Sequence, residues 1–170
     1  MAAIEAIATT YLEADAASVT FSSLGSYEHL QLRFNSRSDA AGTNVVMQLN
    51  ADTGTNYCSH FASATATTPG GWEYTGLTGM YLLNHHYEDP VAFYSAFIVD
   101  ILDYRNGNKN TTIQFKNFDR AGLTASTAAL WFGSGLWDDT AAVTSVTVVP
   151  VGGDGFARGS EFTLYGLNSA

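Results

Sequence analysis

The sequence predicts an all-β protein, an antiparallel β-sandwich that is jelly-roll-like and has about ten strands. Three observations indicate this fold class. Short segments of alternating apolar and polar residues follow one another along the 170 residues, turn-forming residues separate them, and no segment has the pattern of a long helix. No internal repeat of fixed period is visible, which argues against a propeller or a solenoid.

The first segment is open to two interpretations. Ile4, Ile7 and Leu12 fit one face of a helix, whereas residues 7–11 also have the β-branched composition of a strand. We favour the strand because the segments that follow are all β. Residues 1–12 are then either an N-terminal arm or an edge strand of a single β-sandwich domain that spans residues 1–170.

The next segments alternate clearly and then become less regular. Residues 17–24, 29–35 and 44–50 each place apolar side chains on one face and polar side chains on the other. Such alternation is typical of half-buried strands with one solvated side. Residues 57–61 predict a further short strand, and the polar residues 63–71 predict a loop that ends in Pro-Gly-Gly.

The strongest local signal is a β-hairpin within residues 93–118. Asn106-Gly107 lies between two strand-like runs, and an Asn-Gly pair favours a tight turn because both residues tolerate positive φ. A two-residue loop would mix polar and apolar residues on both faces. A three-residue loop, or an equivalent bulge, separates them. The pairs it predicts are Ile101 with Ile113, Val99 with Phe115 and Asp100 with Gln114, with Lys116 diagonal to Asp100.

The last third of the chain predicts three more strands. Residues 128–137 form a strand that we expect to bend or bulge at Gly133 and Gly135. Residues 143–150 are rich in β-branched side chains, and Glu161–Leu167 forms the final strand.

Composition narrows the function classes. The only cysteine is Cys58, so the sequence has no disulfide framework, no paired-thiol redox motif and no cysteine-based zinc site. Seven basic residues against 16 acidic ones give a net charge of −9, which disfavours electrostatic binding to nucleic acid. We expect no membrane span and no classical signal peptide, because no run is long and apolar enough.

Metal and catalytic sites are weakly indicated. His85 and His86 are neighbours, so in an extended chain their rings point to opposite faces and cannot share a metal ion. No HExxH, GxSxG or P-loop motif is present. Asn50, Asp52 and Asn56 resemble part of a calcium loop, but the bidentate Glu is missing and Asx residues favour turns. We therefore expect the residues around Asp52 to form a turn. We also expect that the protein binds no cofactor and is not an enzyme.

Aromatic residues are the stronger indication of binding. Three Trp, nine Tyr and ten Phe exceed what alternating core positions require. Such rings either fill a core or an interface, or stack on sugars. We expect Trp131 to face outward, because Leu130 and Phe132 share the opposite face. The candidate binding residues, for a glycan or a protein interface, are Trp72, Trp131, His85 and His86.

The order of segments along the chain also carries a resemblance. The sequence runs through IATTYL, SVTFSSL, YEHLQLRF, NYCSHF, VDILDYRNGNKNTTIQF, LWFGSGLWDDTAAVTSVTVVP and GSEFTLYGL. In this order the segments resemble a family of small virion structural proteins of tailed bacteriophages. The most specific parts are residues 100–104 with the following Asn/Lys turn, and residues 159–167. Residues 63–89 depart from the family pattern.

The resemblance implies a β-sandwich on the surface of a phage particle, made in the host cytoplasm. The first expectation is a non-enzymatic capsid decoration, or cement, protein that binds other virion proteins, above all the major capsid protein, as a homo-oligomer. The alternative is a tail or fibre-associated module that binds a carbohydrate or receptor, such as a host-surface glycan. The family implies no catalytic residues, and neither nucleic acid nor membrane is an expected partner.

Overall fold

The structure is a computed structural model that describes residues 4–40, 44–65, 68–84, 94–119, 129–152 and 155–168. Within these ranges there is no helix, and so none that is long and apolar enough to cross a membrane. The same ranges form twelve strands. They are β1 (Ile4–Tyr11), β2 (Val19–Phe21), β3 (His29–Ser36), β4 (Asn44–Leu49), β5 (Tyr57–Thr65), β6 (Thr68–Leu77), β7 (Met80–Asn84), β8 (Ser95–Leu102), β9 (Thr111–Asp119), β10 (Ala129–Trp137), β11 (Val146–Pro150) and β12 (Glu161–Leu167).

Two antiparallel sheets pack face to face. The larger sheet has eight strands in the order β1-β12-β3-β8-β9-β10-β5-β6, and the smaller has four in the order β2-β11-β4-β7. Apolar side chains of both inner faces form one core, in which Leu32, Val99, Met47 and Val146 are fully buried. The antiparallel β-sandwich predicted from sequence is confirmed, and the strand preference for residues 7–11 is confirmed with it.

The hairpin register agrees with the prediction. Ile101 lies opposite Ile113, Val99 opposite Phe115 and Asp100 opposite Gln114. The connection is longer than three residues, because β8 ends at Leu102 and β9 begins at Thr111. Asp103 adopts a left-handed φ of 49° and its carboxylate pairs with Lys109, which closes this wider loop. The alternation of side chains therefore determined the register, while the Asn-Gly pair did not form the whole turn.

The polar loop predicted at residues 63–71 is wrong. Ser63 belongs to β5 and lies opposite Gly70 of β6, so this stretch forms the two arms of a hairpin. Its Ser, Thr, Pro and Gly residues are typical of loops, but an edge strand tolerates Pro69 and glycines because one side of it lacks ladder hydrogen bonds. Residues 72–83, which alternate only loosely between apolar and polar side chains, are divided between β6 and β7, so the strand count is higher than the ten expected.

Of the bend or bulge expected at Gly133 and Gly135, the bulge is wrong. Strand β10 pairs with β9 and β5 without any shift of register. A Cβ at Gly133 would lie 2.6 Å from Cβ of Phe61, and one at Gly135 would lie 2.9 Å from Sδ of Met80. Gly133 is required by close packing against Phe61 and Phe115 of the neighbouring strands, and Gly135 by close packing of Met80 across the core.

The two sheets differ in width, and this leaves part of the larger sheet uncovered. Strand β7, at one edge of the smaller sheet, contacts β9, β10 and β5. Strand β6 lies one position further out, at the edge of the larger sheet. Trp72 and Tyr74 project from the inner face of β6, beside buried Phe61, yet they remain 42% and 44% exposed. An open cleft therefore forms at this edge of the sandwich.

Candidate functional site

The outer face of the eight-stranded sheet carries a groove of about 500 Å³. Residues of five neighbouring strands, β8, β9, β10, β5 and β6, line this outer groove. Since core residues such as Val99 and Phe115 point inward, the residues next to them in sequence point into the groove. Its lining includes Ile98, Asp100 and Lys116.

One end of this face is apolar. Ile98, Phe118, Leu130 and Phe132 are 40%, 47%, 50% and 55% exposed, and we call these four residues the apolar band. Leu130 lies opposite Phe118, while Ile98 and Phe132 lie on either side of Lys116. Large apolar side chains grouped on three adjacent strands form an exposed patch of the kind that marks interaction sites.

The other end of the groove is polar. Asp100 accepts a hydrogen bond of 2.6 Å from the side-chain amide of Gln31. His60 lies between Ser134 on β10 and Glu73 on β6. In the described part of the chain no hydrogen bond joins the side chains of His60, Ser134 and Glu73. A nucleophile and its general base need such a hydrogen bond. The groove therefore combines apolar side chains at one end with polar side chains at the other.

The cleft at the edge of the sandwich brings the two predicted tryptophans together. Their ring centroids are 5.5 Å apart, and each lies 5.8 Å from the ring of Phe61. Tyr74 and Tyr81 continue the cluster with centroids 5.5 Å apart. The aromatic cleft, lined by Asn44, Phe61, Trp72, Tyr74, Tyr81, Leu83 and Trp131, has a volume of about 200 Å³.

The predicted outward orientation of Trp131 is wrong. Trp131 packs against the core, whereas Leu130 and Phe132 are exposed. The apolar character of Leu130 and Phe132 suggested that their face of β10 is buried. The inner face instead carries Trp131 and Gly133, and Phe61 and Phe115 fill the space beside this glycine. The indole N–H of Trp131 is buried and has no acceptor among the described residues.

The other predicted sites differ in their outcome. His85 and His86 lie outside the described residues. No group of three or more His, Cys, Asp or Glu side chains that could hold a metal ion occurs within the described ranges.

The predicted turn at residues 50–56 is a hydrogen-bonded structural element. The Asp52 carboxylate accepts hydrogen bonds from the indole N–H of Trp137 (2.7 Å), the amide of Asn56 (2.9 Å) and the backbone N–H of Gly54 (2.8 Å). These donors, the Asn56 amide first, lower the pKa of Asp52. Asn50 accepts from the backbone N–H groups of Thr144 and Ser145. The loop oxygens therefore satisfy N–H donors of the protein itself.

The apolar band was missed from sequence, although a signal for it existed. Leu130 and Phe132 alternate like core residues, so alternation alone predicts that they lie on the inner face. The hairpin register had already placed Lys116 on the outer face, and Phe132 lies opposite Lys116. Pairing β10 with β9 would have revealed the exposed band, but the sequence alone does not identify the neighbours of β10.

Comparisons with known proteins do not assign the chain to a family. No known protein family matches the sequence, and no curated protein matches it. Among solved structures, the chain is similar to the crystal structure of the galectin LEC-6 of Caenorhabditis elegans, with a TM-score of 0.35 and 10% sequence identity. This similarity covers 91% of the present chain and 94% of the galectin.

Proposed function

We propose that the protein is a non-enzymatic structural protein of a bacteriophage particle, a decoration protein that binds the assembled capsid. The observation that carries the proposal is the apolar band on the outer face of the larger sheet. The resemblance of the sequence to virion proteins supports the setting, and the band supplies a surface for docking. In this proposal the partner is the major capsid protein, and the protein binds it as a homo-oligomer.

The charge of the outer face specifies the chemistry of that partner. Lys116 stands between Ile98 and Phe132, and Arg33 lies on the other side of Ile98. Lys116 has no ion-pair partner in the described part of the chain. These two basic residues lie beside the apolar band, whereas Asp100 and Glu73 lie toward the polar end of the same face. The band therefore favours a partner that offers carboxylates beside apolar side chains.

A binding experiment with capsids tests the proposal. Phage capsids assembled without this protein are mixed with the purified chain and sedimented, and the bound fraction is measured at increasing protein concentration. The variant Leu130→Ser with Phe132→Ser should bind at least roughly thirtyfold more weakly, because covering each half-exposed side chain contributes about 1 kcal/mol or more. Both side chains are exposed, so the variant should keep its fold.

The matched control is Val151→Ser. Val151 is an exposed apolar residue, 38% accessible, that follows β11 of the smaller sheet and lies away from the outer face. This variant should bind capsids like the wild-type protein, and urea denaturation should show that all three proteins are folded. The proposal is wrong if the wild-type chain does not sediment with capsids, or if the double variant binds as well as wild type.

A further inference from the structure

The aromatic cleft is a second surface, and it lies on the opposite face of the larger sheet from the apolar band. We propose that it binds one neutral pyranose ring of a glycan. This inference goes beyond the decoration role and does not depend on it, because no residue is shared between the cleft and the band. A protein docked through its outer face would leave the cleft accessible.

Two adjacent exposed rings form the floor for such a ligand. Trp72 and Tyr74 are two residues apart on β6, so their side chains share one face of the strand. Both remain more than 40% exposed, although both project from the inner face of the sheet. One side of a pyranose ring carries mainly C–H groups, and these pack against the electron-rich face of an aromatic ring. The exposed rings therefore suit a sugar better than a fully polar ligand.

The remaining lining argues for a neutral ligand of small size. No charged side chain is among the described residues that line the cleft, whereas the outer groove contains Asp100 and Lys116. Asn44 adds an amide that can donate to and accept from sugar hydroxyls. The volume of about 200 Å³ is below the roughly 300–1,000 Å³ of sites for drug-sized ligands, so a single ring is the fitting occupant.

The rings are held in place before a ligand arrives. The Trp72 ring packs against Phe61 and Trp131, and it lies so close to Gly70 that a Cβ there would be 2.3 Å from the indole. On the opposite wall, Leu83 has a left-handed φ of 71° where the pairing of β7 with β4 shifts. This conformation accompanies the β-bulge in the pairing of β4 with β7, and such bulges change the direction of nearby side chains. A preorganised cleft loses less entropy on binding.

Tryptophan fluorescence and saturation-transfer NMR test the proposal. The probes are methyl α-glucopyranoside, methyl β-galactopyranoside and methyl N-acetyl-β-glucosaminide, each titrated to about 50 mM, which covers dissociation constants near 1 mM. We expect at least one probe to change the tryptophan emission and to receive saturation at its C–H protons. Trp72→Ala should weaken that binding by about three- to tenfold, as expected for loss of one aromatic contact.

The control variant is Tyr11→Ala, which removes an aromatic side chain of similar exposure, 52%, from β1 at the far edge of the same sheet. It should bind the sugar like wild type. Binding that is equal in wild type and Trp72→Ala would overturn the proposal, as would the absence of any response to the three probes. Quenching by an apolar dye without a response to sugars would assign the cleft to an apolar protein segment instead.

Discussion

Individual residues show which polar groups the fold depends on. Trp137 is almost fully buried, and its indole N–H reaches the Asp52 carboxylate at 2.7 Å. Tyr57 is buried beside it, accepts a hydrogen bond from the backbone N–H of Leu49 and lies within hydrogen-bond distance of two carbonyl oxygens. The side chains of Trp137 and Tyr57 therefore join the turn after β4 to the core. Removing the Asp52 carboxylate or the Tyr57 hydroxyl should lower the free energy of unfolding.

We predict that Asp52→Ala destabilises the protein by about 2 kcal/mol, because the buried indole N–H of Trp137 loses its acceptor. Urea denaturation at pH 7 measures the free energy of unfolding. Glu13→Ala is the control for the loss of one negative charge, since among the described residues Glu13 forms only a long, exposed ion pair with Arg158 at 3.9 Å. Equal unfolding free energies for Asp52→Ala and wild type would contradict a structural role of the carboxylate.

The Asp52 carboxylate should also make the free energy of unfolding depend on pH in the acid range. Its hydrogen bonds lower the pKa of Asp52 in the folded state. Its contribution is therefore complete above the pKa of an unfolded Asp, about 3.9, and is lost as the pH falls through the lower folded pKa. In acid the difference in unfolding free energy between wild type and Asp52→Ala should decrease, and a difference that stays constant from pH 6 to pH 2 would contradict this linkage.

The hydroxyl of Tyr57 should make the free energy of unfolding decrease as the pH rises into the alkaline range. Burial raises the pKa of Tyr57 to about 12, against about 10 for an unfolded tyrosine. Its contribution is complete below pH 10 and is lost as the pH rises through about 12. Tyr57→Phe should cost about 1–2 kcal/mol at pH 8 through its lost hydrogen bonds, and this difference should narrow between pH 10 and 12. A constant difference over that range would contradict the burial of the hydroxyl.

At the scale of strands, packing decided what local patterns left open. The final strand, the N-terminal strand and the hairpin register follow from alternation, because one buried face imposes a period of two. The orientation of β10 does not follow from alternation. Gly133 faces the core although it has no side chain, because Phe61 and Phe115 fill the space beside it. The meeting of Trp72 with Trp131 also needed the order β10-β5-β6, which local sequence patterns do not contain.

Strand β12 offers a direct test of such close packing. A Cβ at Gly166 would lie 2.2 Å from Cγ of Tyr27, so the tyrosine ring lies directly over this glycine. We predict that Gly166→Ala destabilises the protein by about 2 kcal/mol through overpacking. Gly71→Ala is the matched control, because the nearest atom to its Cβ would be a carbonyl oxygen at 3.6 Å. Thermal denaturation of wild type, Gly166→Ala and Gly71→Ala measures the two changes in stability. Equal changes in the two variants would contradict the close packing of Tyr27 on Gly166.

At the scale of the whole molecule, the unequal width of the two sheets separates two surfaces. The outer face of the larger sheet presents the apolar band with Lys116, and the uncovered inner face of β6 presents the aromatic cleft. Composition and alternation predicted the sandwich and singled out Trp72 and Trp131. They did not predict the band, because its exposure depends on which strands are neighbours.

The location of the protein on the phage particle distinguishes capsid decoration from a role at the tail. Electron microscopy of intact phage particles labelled with a gold-conjugated antibody against the protein shows this location. If the protein decorates the capsid, as we propose, gold should be distributed over the head. Label confined to the tail or its tip would contradict decoration and would favour a tail-associated receptor-binding module.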